Sequence, residues 1–133
     1  MKKYVIESIR NPDGTPRTDG KNPQRVGSLV TMLEAVVSRP LSYAYITDRN
    51  SQLKEGSFTG SVVKDIRTDK INGDIEAITQ DSIFRFTAMG DYVSGNHYVD
   101  KLLADEGIKN SITRTGVDDV TCIDLDTLLK EIK

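Results

Sequence analysis

The chain has 133 residues, 37% hydrophobic and 29% charged, enough for one domain with a real core and too apolar for wholesale disorder. Its net charge of −2 supplies no global field to attract nucleic acid. No apolar run approaches the ~20 residues that span a bilayer, and no apolar segment follows Lys2 and Lys3 to make a secretory signal. The expectation is a cytoplasmic domain with no membrane partner.

In chain order, residues 3–9 (KYVIESI) read as a short strand whose buried face is ambiguous. Tyr4, Ile6 and Ser8 share one side, and Val5, Glu7 and Ile9 the other. Residues 10–25 (RNPDGTPRTDGKNPQR) hold three prolines and two Asp-Gly pairs, a composition of turns and not of ladders. A surface loop of this length is uncommon unless it binds something or is disordered.

Residues 26–38 (VGSLVTMLEAVVS) carry a helical stripe in Leu29, Met32, Leu33, Val36 and Val37. Four valines and Thr31 favour a strand instead. Strand–turn–strand is preferred, with the turn at Ser38-Arg39-Pro40 and a second strand in LSYAYIT. Residues 48–57 are a polar connection, and FTGSVVKDI follows, with Gly60 marking a bend or bulge. Asn72-Gly73 signals a turn.

Residues 74–88 (DIEAITQDSIFRFTA) are the clearest stretch: two strands around a polar break at Gln80-Asp81-Ser82. Phe84, Phe86 and Ala88 share the face assigned to the core, with Ile75 and Ala77 facing it. After Gly90 the pattern becomes helical. HYVDKLLADEG reads as a helix capped by Asn96 and ending at Gly107. Residues 120–123 (VTCI) are weakly extended, and DLDTLLKEIK is a second helix with acids early and lysines late. The expected fold is α+β: a small antiparallel β-sheet or partly closed barrel over 1–90, then a C-terminal helical extension over 91–133 packed on the same single domain.

No motif specifies a chemistry. There is no G-x-S-x-G elbow, no phosphate-binding glycine loop and no twelve-residue calcium loop. His97 is the one catalytic candidate, at a helix start, and a lone histidine excludes the usual multi-histidine zinc centre. Cys122 is the sole cysteine. It excludes a disulfide framework and fits a buried small hydrophobe. Asp118, Asp119, Asp124 and Asp126 are candidates for a hard cation, although capping of the last helix is the better explanation of two of them. Asp65, Asp69 and Asp74 flank the Asn-Gly turn, where acids are expected in any case. No cofactor is implied.

The binding candidates are Arg10, Arg17, Lys21 and Arg25 in the long loop, with Tyr43 and Tyr45 on the LSYAYIT strand. Residues 1–27 carry six bases against three acids, and residues 98–133 eight acids against five bases. Three functions follow as expectations. The first is a non-catalytic protein-interaction or structural module that displays the loop and a sheet edge, self-association included. The second is a nucleic-acid-binding module using the basic N-terminal region. The third is a small hydrolase-like enzyme built around His97.

Overall fold

Alternation of apolar and polar side chains assembles this fold around its central hairpin. In the computed structural model, which describes residues 1–104, β5 (Ile75–Thr79) and β6 (Ile83–Asp91) pair in register from Ile75↔Phe86 to Ile78↔Ile83. The turn falls at the polar break, where Thr79 N donates to Ser82 O at 2.8 Å. Ile75, Ala77, Phe84 and Phe86 are all buried, as the alternation requires.

The other strands are β1 (Lys2–Arg10), β2 (Leu29–Glu34), β3 (Pro40–Thr47) and β4 (Ser57–Thr68), with α1 (Asn22–Arg25) in the long loop and α2 (His97–Leu103) after β6. Every strand pairs antiparallel with its neighbour in chain order, and β1 pairs β6. Of the two expected sheet forms the molecule takes the barrel, and it closes it. β1 and β6, which would be the free edges of an open sheet, hydrogen-bond to each other. Closure is the most complete way to remove the unpaired N–H and C=O rows of an edge.

The ambiguity of β1 has a physical answer. Its ladder with β6 shifts register between Ile6 and Ser8. A bulge of this kind inserts one residue and reverses the side-chain phase. Tyr4 and Ile6 point inward before it and Ile9 after it, and all three are buried. The segment over 26–38 contributes strand β2 (Leu29–Glu34) and not a helix, as preferred. Its turn, however, is longer than Ser38-Arg39-Pro40. Residues 35–39 form the connection, Ser38 takes φ +74°, and Pro40 already belongs to β3.

The barrel is filled by side chains. Tyr4, Ile6, Val30, Leu41, Tyr43, Val63, Ile75 and Phe86 belong to one buried cluster, each large side chain contributing about 1.5–3 kcal/mol of apolar burial. A second cluster lies outside the wall. Leu33, Ala44 and Ile46 meet Tyr92 and Val99 beneath α2, so β3 is buried on both faces. Asn96 caps α2 as expected, its side chain accepting from Val99 N at 3.1 Å. Its Nδ2 donates to Ile46 O at 2.8 Å and Lys54 O at 2.9 Å, tying the helix to β3 and the loop beyond it. No helix among the described residues is long and apolar enough to cross a membrane. The Gly107 cap, the extended segment at Cys122, the final helix and Asp118, Asp119, Asp124 and Asp126 lie outside the described residues.

Candidate binding site at one mouth of the barrel

An up-and-down barrel sends alternate connections to opposite ends. The β1–β2 segment, the β3–β4 loop and the β5–β6 turn therefore share one mouth. Each brings polar or charged side chains, and β3 and β4 supply aromatics beneath them.

The β1–β2 segment is folded back over this mouth by specific bonds. Arg17 N donates to Ile9 O at 3.1 Å and Gly27 N to Ile6 O at 2.7 Å. Arg17 spans the gap to the β5–β6 turn, where its Nη1 donates to Ser82 Oγ at 2.6 Å and Asp81 O at 3.3 Å. Its Nε and Nη2 grip Asp19, the former at 3.0 Å. The hydrogen bonds from Arg17 hold the Asp19 carboxyl down at about 2, and Asp19 in turn raises the Arg17 guanidinium. Next comes α1, with Pro23 in its first turn, where a missing N–H costs nothing. With Lys21 at its N-cap position, it presents Gln24 and Arg25 above the strands.

Beneath α1 the aromatic side chains form a column. Tyr43 contacts Phe86 edge-on, with centroids 5.8 Å apart, and stacks on Phe58 at 4.9 Å and 23°. The Arg25 guanidinium lies over Phe58, 4.6 Å from its centroid. Beside this column the Lys54 ammonium lies 4.1 Å from the centroid of Tyr45. Cations over ring faces in this range gain about 0.5–1 kcal/mol each at exposed sites. Gly60 makes the close packing of Phe58 feasible. A Cβ at that position would stand 2.7 Å from Phe58 Cε2 and 2.9 Å from Cζ.

Two grooves open on either side of Arg25 and Phe58. The smaller, about 200 Å³, is lined by Lys21, Gln24, Arg25, Tyr45, Lys54 and Ser57 together with Phe58. Three cations converge there, and no carboxylate is among its lining residues. The larger, about 370 Å³, runs along Phe58–Ser61 to the β5–β6 turn and includes Arg17, Phe84 and Asp81. Tyr43 lies fully buried under both. Burial, reinforced by the neighbouring Tyr45 hydroxyl, raises the Tyr43 phenol well above its ordinary value, so it stays neutral.

Of the residues singled out in the sequence, the fold gathers Arg17, Lys21, Arg25 and Tyr45 at this mouth. Tyr43 is core support below them. Arg10 lines neither groove and instead faces Glu76 on β5 at 3.4 Å. His97 is exposed at the first residue of α2 and lines neither groove. The acids around the Asn-Gly turn serve the backbone and the surface. Asp69 accepts from Ile71 N at 2.9 Å, Asp74 accepts from Ala88 N at 2.9 Å, and Asp65 pairs with Arg67 at 3.6 Å. No group of three metal-ligating side chains forms among the described residues.

Sequence reasoning missed Lys54, Phe58 and Asp81. Their signal was topological: in a meander that closes, the first, third and fifth connections meet. No family model, curated protein or solved structure matches this chain.

Proposed function

We propose that the protein is a non-catalytic binding module that holds single-stranded nucleic acid across the mouth capped by α1. The observation that carries this reading is the convergence of Lys21, Arg25 and Lys54 around Tyr45 and Phe58 in one groove free of lining carboxylates. Cationic grooves interleaved with aromatics suit a flexible phosphate chain, because phosphates pair with the cations while bases stack on rings or guanidinium planes. The long loop contains no aromatic of its own; β3 and β4 provide the interleaving. A duplex is a poorer fit, since the concave groove is small and no described helix of major-groove length projects from the surface.

Fluorescence anisotropy with labelled nine-residue oligothymidine tests the reading. The expected result is saturable binding in the roughly 10⁻⁴–10⁻⁶ M range typical of sequence-independent contacts, weakened at least tenfold by Lys21→Ala combined with Lys54→Ala. Tighter binding of a poly-glutamate peptide than of the oligonucleotide would replace this reading with capture of an acidic protein segment, the protein-interaction function considered from sequence. That function would then rest on the loop alone, because the sheet edges are paired with each other.

A further inference from the structure

We propose that the larger groove is a nucleobase subsite that selects guanine, an inference that rests on the nucleic-acid reading of the mouth. The groove adjoins the cationic one through the shared Arg25–Phe58 wall, so a base attached to a phosphate held by Lys21 and Lys54 has this space beside it. At about 370 Å³ it falls in the range of small-ligand sites. Its apolar side is the edge of Phe58 and Phe84, whose ring centroids are 5.8 Å apart.

The selective group is Asp81. It stands at the tip of the β5–β6 turn, and its position is fixed twice. Ser61 Oγ donates to its Oδ2 at 2.6 Å, and Arg17 holds its main-chain carbonyl. Arg17 directs its hydrogen bonds to Asp19, Ser82 and the Asp81 main chain and attracts the Asp81 carboxylate only through space, so it braces the turn and, with Ser61 on Oδ2, leaves Oδ1 and the remaining lone pair of Oδ2 to a ligand. A carboxylate only accepts, and two oxygens with about four lone-pair sites suit two donors side by side. Among the common bases only guanine offers a ring N–H and an amino group adjacent on its pairing edge. Adenine and cytosine set one amino group beside a ring acceptor. Thymine and uracil set one N–H between two carbonyls. Each of these brings an acceptor against Asp81, and the resulting repulsion is itself selective.

The test is a series of nine-residue oligothymidines whose central residue is thymidine, deoxyguanosine, deoxyinosine or deoxyadenosine, measured by anisotropy at fixed salt. Wild-type protein is expected to favour guanine over adenine by about 5-fold to 100-fold, with inosine, which lacks the amino group, between them. Asp81→Asn is expected to reduce that preference below about 2-fold; an undiminished preference for guanine in this variant overturns the role of Asp81. Equal affinity of the wild type for guanine and adenine, with oligothymidine still bound, overturns the subsite and leaves the binding function standing. Failure of the wild type to bind any member overturns both.

Discussion

Single residues at the mouth carry the sharpest predictions. Gly60 is the only residue type whose size allows Phe58 its position against Tyr43 and Arg25. Gly60→Ala forces the ring to move and is expected to cost about 1–3 kcal/mol of stability, the usual penalty of overpacking, read as a lower urea midpoint at unchanged slope. The same variant is expected to weaken oligothymidine binding, because Arg25 loses its platform. An unshifted midpoint would mean that the Phe58 contact is loose. Asp19 provides a pH test. Its folded value, about 2, lies below the ordinary 3.9, so its contribution is present above pH 4 and lost as the pH falls through 2. Carboxyl NMR titration should give a midpoint near 2 for Asp19; a midpoint near 4 would show that the Arg17–Asp19 brace does not form in solution. Gly60 read as a bend or bulge, and the register of β4 against β3 does shift there; its contact with Phe58 was not legible, nor was the partner of Asp19, which read as one half of an Asp-Gly turn, since the partners of both are set by the folded chain.

Elements were more legible, for a simple reason. Phe84 and Phe86 announce β6 because both faces of a strand are fixed by a period of two, and both rings are buried. Phe86→Ala is therefore expected to cost about 3–5 kcal/mol by chemical denaturation. The β1 strand was visible but its inward face was not, because a bulge changes phase without leaving a composition signal. The cap of α2 was visible in Asn96, yet its second role was not. Asn96 also donates to the carbonyls of Ile46 and Lys54, 50 and 42 residues away. Its loss removes a cap and strands buried acceptors, for a combined cost of about 2–4 kcal/mol. Asn96→Asp keeps the cap acceptor but has no amide donor, and should recover only part of that stability. Full recovery would show that the carbonyl contacts contribute nothing.

At the scale of the molecule, closure turns a polar, aromatic-free loop into the lid of an aromatic mouth. The loop was legible as long and basic, and its candidate arginines and Lys21 were named from charge alone. Tyr45 was named beside them, but Lys54 and Phe58 were not, because they come from the β3–β4 connection and from β4 and meet α1 only once β1 has found β6. Arg10 shows the converse. It belongs to the same basic run, but its position on β1 turns it toward Glu76 and away from the mouth. The site depends on three cations, and counterion release gives that dependence a number. Three phosphate contacts to a single strand imply a slope of about −2 in log affinity against log salt, or about a 20-fold loss between 50 and 200 mM. The most direct measurement is therefore oligothymidine affinity across that salt range for the wild type and for the Lys21→Ala, Lys54→Ala variant. The account predicts a slope near −2 that falls to about −0.7 in the variant, which keeps one of the three contacts; a flat wild-type response, or identical slopes for the two proteins, would contradict it.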